Sequence, residues 1–153
     1  MYKKILVPLD GSDLSEMSLE HAKAIATKFA VQEVVLIRVV EPLSTLAVAE
    51  LAGAGADWLS KAEQMAETEA SDYLAGLEEK LKKDGIPVKT VLIRGRSAEV
   101  ILDYTNKNKV DLIVMSTHGR SGVTRWVLGS IADRVLTHTS VPILLVSPSS
   151  HKK

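Results

Sequence analysis

Five short runs of apolar residues punctuate the chain, at positions 5–9, 34–40, 88–93, 112–115 and 143–146. They are rich in Ile, Leu and Val and lack an alternation of apolar with polar residues. Continuous apolarity over such short lengths is the pattern of parallel strands covered on both faces. Between the runs lie stripes of helical period. Leu14, Ser18, Ala22, Ile25 and Phe29 share one face of a first helix, with Ser12 or Asp13 as its cap. Leu59, Ala62, Ala66, Ala70, Tyr73, Leu77 and Leu81 form a longer stripe, which Gly85 and Pro87 end. Ser97 is expected to cap a third helix carrying Val100, Ile101 and Tyr104, and a fourth runs from near Ser130 to His138. Strands alternating with helices predict right-handed crossovers and an α/β fold, an open, doubly wound, five-stranded parallel sheet with about four helices.

Residues 43–60 break this rhythm, being rich in Ala and Gly. They read as a connection with a short helix, or else as a lid or an apolar partner surface using Leu46, Leu51 and Trp58. The whole reads as one domain over residues 1–148 with a polar tail at 149–153. A chain of 153 residues is long enough to bury roughly 70% of the surface it exposes when unfolded.

Nineteen basic residues balance nineteen acidic ones, so no strong field draws the chain to nucleic acid or to an anionic membrane. The absence of cysteine excludes disulfides, thiolate metal sites and cysteine nucleophiles. No apolar run approaches the ~20 residues of a membrane span. Met1 leads directly into a strand without the apolar region of a signal peptide. A soluble, cytoplasmic protein is the expectation.

The chemistry concentrates after the fourth run, in Met115-Ser116-Thr117-His118-Gly119-Arg120 and on to Gly129-Ser130-Ile131. A strand passing through a Gly/Ser-rich loop into a helix start binds phosphate without a metal. Unpaired N–H groups and the helix dipole both favour an anion there. Gly119, Gly122 and Gly129 allow positive φ and close approach of backbone to ligand, and Ser130 adds a hydroxyl. A β-branched residue at Gly129 is therefore expected to resist positive φ and block the phosphate while leaving the fold intact. Arg120 and Arg125 either reach phosphates or stay solvated. Asp10, at the end of the first run, either closes a turn or faces the same ligand, because ligands of such sheets sit beyond the strands' carboxyl ends. His118 stands in no serine–histidine–carboxylate pattern and reads as a packing or hydrogen-bonding residue; His21 and His138 form no metal set. There is no Gly-x4-Gly-Lys-(Ser/Thr), no Gly-x-Gly-x-x-Gly and no Gly-x-Ser-x-Gly. Fast ATP turnover is not expected, and no catalytic or metal-ligating residue is assigned.

The loop resembles that of the universal stress protein family, Gly-x2-Gly-x9-Gly-(Ser/Thr). Here Gly119 is the second glycine, nine residues follow, and Gly129 and Ser130 close it, while Ser116 stands in place of the first glycine. The start, Ile5-Leu6-Val7-Pro8-Leu9-Asp10-Gly11-Ser12, and the ending, Pro142-Ile143-Leu144-Leu145-Val146, are similar too. The resemblance implies strand order 3-2-1-4-5, ATP with or without Mg²⁺ as ligand, and a homodimer through the edge strand at 142–146. It implies that Asp10 contacts the nucleoside and that the backbone of Val39 pairs with adenine. Pro8, Leu9, Met115, Ser116, His118, Gly119, Arg120, Gly129, Ser130 and Ile131 complete the implied site. The Cβ of Ser116 adds bulk where ribose or phosphate would lie. The implied function is that of a stress-response module acting as a nucleotide-dependent switch or partner-binding protein. A slow hydrolase or phosphotransferase of the same fold, or an interaction module without nucleotide, are its rivals.

Overall fold

Ile5, Leu6 and Val7 of one strand and Val34, Val35, Leu36 and Ile37 of the next are almost wholly excluded from solvent. Such runs are stable only between two helical layers. A computed structural model describes residues 1–51, 53, 55–118 and 128–148. Its elements in chain order are β1 (Lys4–Pro8), α1 (Asp13–Phe29), β2 (Glu33–Val40), α2 (Thr45–Leu51), α3 (Ala56–Lys83), β3 (Val88–Arg94), α4 (Ser97–Lys107), β4 (Leu112–Ser116), α5 (Ser130–His138) and β5 (Ile143–Val146). The five strands are parallel in the order β3-β2-β1-β4-β5. Among the described residues, no helix is long and apolar enough to cross a membrane.

Alternate strand residues face opposite layers. Val7, Leu36 and Val114 pack with Leu19, Ala22 and Ala26 of α1 and with Leu74 and Leu81 of α3. Leu6, Val35 and Ile113 pack with Ala98, Ile101 and Tyr104 of α4 and with Ala132 and Val135 of α5. The fifth helix is α2, the short helix foreseen within 43–60; Leu46 on it is 75% exposed, and α3 starts at Ala56, ahead of the expected Leu59.

Several local expectations are corrected. The buried face of α1 is Ser15, Ser18, Leu19, Ala22 and Ala26, whereas Phe29 is 43% exposed and meets Tyr2 edge-on. Small residues let the helix axis approach the sheet, so the contact face is chosen by close approach rather than by side-chain bulk. On α3, Ala66 is exposed and Leu74 is a core residue that the four-residue stripe missed. Ser12 caps α1, its Oγ accepting the Ser15 N–H at 3.1 Å. Ser97 does not cap α4. It is the first helical residue, and its N–H donates to Glu41 Oε1 at 3.0 Å, a cap from 56 residues away. Gly85, at φ +77°, lets the chain leave α3 in a left-handed turn that other residues resist.

The start of the sheet is stitched by Asp111. Its Oδ2 accepts the N–H groups of Lys3 and Lys4, both at 2.8 Å, just before β4 pairs with β1. Hydrogen bonds to a charged acceptor contribute ~1.5–3 kcal/mol each when well made, and less at an exposed site. Replacing Asp111 by Ala is expected to lower unfolding free energy by about 1–2 kcal/mol, with an unchanged m-value in urea titration.

Candidate functional site

In this sheet the strand order reverses between β1 and β4, and a cavity of about 530 Å³ opens there beyond the carboxyl ends of β1, β2 and β4. Pro8, Leu9 and Asp10 enter it from β1, Val39 from β2, Met115, Ser116 and His118 from β4, and Gly129, Ser130 and Ile131 from the start of α5. The fold thus brings ten of the twelve residues singled out from sequence to one cavity. The other two, Gly119 and Arg120, lie outside the described residues, as do Gly122 and Arg125.

The wall takes its form from unequal strands. β1 pairs with β2 as far as Pro8↔Ile37, and the Leu9 N–H still donates to the Ile37 carbonyl at 2.9 Å. β2 continues to Val40 while paired to β3, with Val39 opposite Ile93 and Val40 opposite Arg94. The β1-facing backbone edge of β2 at Val39 therefore borders the cavity, whereas the Val40 carbonyl faces the other way and accepts the Gly95 N–H at 3.1 Å. Backbone groups at such an edge need a polar partner.

Asp10 takes the turn-closing role weighed for it. Its Oδ1 accepts the N–H of Ser12 at 2.9 Å and the Oγ of Ser12 at 2.5 Å, closing the turn that leads into α1. It also lines the cavity. Ser15 Oγ, close by, donates to the Ser12 carbonyl at 2.8 Å and is buried.

On the β4 side the Thr117 N–H donates to the Val146 carbonyl at 3.0 Å, and the Thr117 carbonyl accepts the Gly129 N–H at 2.9 Å. These bonds fix where the chain leaves the sheet and where it returns. Ser116 Oγ donates to the His118 carbonyl at 2.8 Å, so the serine in place of the usual glycine is spent on closing its own turn. His118 Nδ1 is 2.9 Å from Thr117 Oγ1, and all three side chains are buried. A hydrogen-bonding role for His118 is realised.

Gly129 corrects its expected rationale. Its φ is −57°, ordinary for any residue, so no positive φ needs a glycine there. The requirement is space, because a Cβ on Gly129 would lie 2.8 Å from the Thr117 carbonyl oxygen. A β-branched residue would therefore displace the start of α5 rather than leave the fold untouched.

Sequence reasoning missed Ser15, Arg38, Glu41, Glu69, Ser97 and Thr117, which line the same cavity. Arg38 carried a readable signal, a charge inside an otherwise apolar strand. Its Cζ lies 5.6 Å from the centre of the Tyr73 ring, a cation–π distance. Tyr73 OH in turn donates to Glu16 Oε1 at 2.9 Å. Burial first, and then the bond to the Glu16 carboxylate, raise the Tyr73 phenol above its ordinary pKa, so it remains the protonated donor across the physiological range. Glu41 and Glu69 also line the cavity, and Glu41 Oε1 accepts the Ser97 N–H. Among the described residues, no group of three His, Cys, Asp or Glu is arranged to hold a metal ion.

Comparison with known proteins agrees with this architecture. Universal stress protein MJ0531 of Methanocaldococcus jannaschii is 36% identical over 148 residues, covering 95% of this chain and 82% of that protein. Universal stress protein MJ0577 of the same organism is 30% identical over 155 residues, covering 95% of each. The solved structure of MJ0577 superposes with a TM-score of 0.82 at 28% identity, over 97% of this chain and 98% of that one. An Arabidopsis thaliana universal stress protein family protein, solved with AMP bound, shares the fold at a TM-score of 0.62 and 12% identity, over 97% of this chain and 93% of that one. The sequence model of the universal stress protein family matches residues 1–147, and the chain belongs to that family.

Proposed function

We propose that this chain binds an adenine nucleotide, ATP in its working form, and acts as a small cytoplasmic switch or partner-binding module in a stress response. The observation that carries the reading is the convergence of Asp10, Val39, Ser116 and the Gly129–Ser130 helix start on one cavity at the strand-order reversal. Its parts match the parts of a nucleotide. The free edge of β2 at Val39 offers the paired donor and acceptor that an adenine edge needs. Asp10 lies where a ribose hydroxyl would donate to its carboxylate. The amino end of α5 supplies unpaired N–H groups and the positive end of a helix dipole for phosphate. The Arabidopsis relative with AMP bound puts an adenine nucleotide on this same fold. Mg²⁺ fits as an ion carried on the phosphates, since magnesium is commonly held by one or two carboxylates plus phosphate oxygens.

The energetics permit this. Three charge-assisted hydrogen bonds at ~1.5–3 kcal/mol each, with burial of the base, must exceed an association cost of ~4–15 kcal/mol. A net of about −8 kcal/mol corresponds to a micromolar Kd. Denaturing the purified protein and identifying released small molecules by mass spectrometry tests the reading directly, and an adenine nucleotide is the expected finding.

Assembly as a homodimer through β5 completes the proposal. β5 is an edge strand of four apolar residues, with Pro142 before it as the one residue that blunts the edge. The opposite edge, β3, exposes Lys89 and Arg94, charges that discourage pairing. Pairing β5 with its copy about a two-fold axis satisfies its outer N–H and C=O groups.

Three outcomes are expected. In titration calorimetry, Asp10→Ala weakens adenosine and ATP alike, because the contact is to ribose or base; equal adenosine affinity in both proteins would leave Asp10 a turn residue. Gly129→Ala lowers ATP affinity at least about tenfold together with thermal stability, since its Cβ collides with the Thr117 carbonyl; unchanged affinity detaches the start of α5 from the ligand. Light scattering finds a dimer for the wild type and a folded monomer for Leu144→Lys. Val146 is unsuitable for that test, because its side chain is buried in the chain's own core.

A further inference from the structure

We propose that Glu41 reads the exocyclic amino group of the bound base and so selects adenine from purines that lack that group, a claim that rests on the nucleotide reading above. The direction of the base follows from the backbone of β2. The Ile37 carbonyl faces β1, where it accepts the Leu9 N–H, and the Val40 carbonyl faces the other way, to the Gly95 N–H. By that alternation the N–H and C=O of Val39 both point to the free edge at the cavity. Within a strand the N–H of a residue precedes its C=O. An adenine that pairs with both sets its amino group, the donor, on the carbonyl and a ring nitrogen, the acceptor, on the N–H. Its amino group then lies toward the carboxyl end of β2. The second amino hydrogen points onward, in the direction of Glu41, which follows Val39 by two residues.

Glu41 is anchored for this role. Its Oε1 accepts the N–H of Ser97, the first residue of α4, at 3.0 Å, and both residues line the cavity. That bond takes one of the roughly four acceptor positions of a carboxylate. Arg94, which shares a small neighbouring hollow with Glu41, is taken up by Glu63 and Glu67 of α3. Ile101, about one turn on from Ser97 along α4, lines the cavity as well. One helix thus offers an apolar side chain to the ring of a base and, at its start, a held carboxylate to the edge of that base. A carboxylate only accepts hydrogen bonds, so it stabilises an amino donor and repels an oxo group placed there.

The test is a calorimetric series with ATP, ITP and purine riboside triphosphate, run on the wild type, Glu41→Ala and Glu41→Gln, with thermal unfolding as a folding control. The three ligands share their sugar and phosphates; ITP carries oxygen in place of the amino group, and purine riboside triphosphate carries hydrogen. Glu41 is exposed and water competes for its carboxylate, so the expected effect is moderate. Glu41→Ala is expected to lose about fivefold for ATP and under about twofold for purine riboside triphosphate. Its discrimination against ITP narrows with the first of these losses. Glu41→Gln keeps an oxygen for the Ser97 N–H but presents an amide donor beside it, so it lowers the preference for ATP while preserving the start of α4. Should Glu41→Ala fail to fold, Glu41→Gln carries the comparison alone. A preference for ATP that the variants keep unchanged overturns the proposal and leaves Glu41 a cap of α4, as do equal wild-type affinities for the three ligands. A wild type that binds none of the three overturns the nucleotide reading itself, and this proposal with it.

Discussion

The buried central strand β1 pairs with β2 through Pro8 and then turns away, while β2 runs on to Val40 with β3 still beside it. That difference in strand length leaves a backbone edge without a strand neighbour at the point where the order of strands reverses. The cavity, the turn at Asp10 and the approach of α5 all depend on it. A β1 longer by three residues would fill the gap with ladder hydrogen bonds, and the carboxyl end of the sheet would have no concavity to line. The polar side chains are secondary to this backbone arrangement. Asp10 closes its turn because the chain must leave the sheet there, and Gly129 is small because the returning backbone must pass the Thr117 carbonyl.

Much of this was legible in the residues. Runs of Ile, Leu and Val located all five strands to within about one residue at each end, since parallel strands buried on both faces have no alternative composition. The cavity's membership was legible because strand ends in an open parallel sheet have a fixed relation to one another. What failed was detail set by tertiary contacts. Ser97 looked like a cap, but a carboxylate distant in sequence occupies the start of α4. The buried face of α1 turned on small residues, which periodicity scored by bulk does not weigh. Gly129 invited a dihedral argument, whereas a 2.8 Å approach to a carbonyl is the reason for it, and no single sequence displays such an approach. Arg38 was the exception, a visible anomaly within an apolar run whose meaning required Tyr73, 35 positions later in the chain, to be placed beside it.

The polar groups around the cavity divide into those that hold the scaffold and those that face the space. Ser12, Ser116, Thr117 and the carboxylate of Glu41 spend hydrogen bonds on turns and helix starts. They fix the turns and helix starts that frame the cavity. The Glu16–Tyr73–Arg38 chain extends this support from the turn region to the long helix α3. One side of the cavity is thereby joined to the helical layer opposite α4 and α5.

The seam between β1 and β4 carries a consequence for biosynthesis. β1, β2 and β3 pair in the order in which they are made, but β1 meets β4 through Ile5↔Leu112 and Leu6↔Ile113. On the ribosome, the second edge of this central strand stays bare until more than a hundred residues have emerged. At ~5–20 residues per second this is an interval of seconds. An uncovered strand edge of this kind is a template for wrong partners. The nascent chain is therefore most exposed to misassembly just before the two halves of the cavity come together.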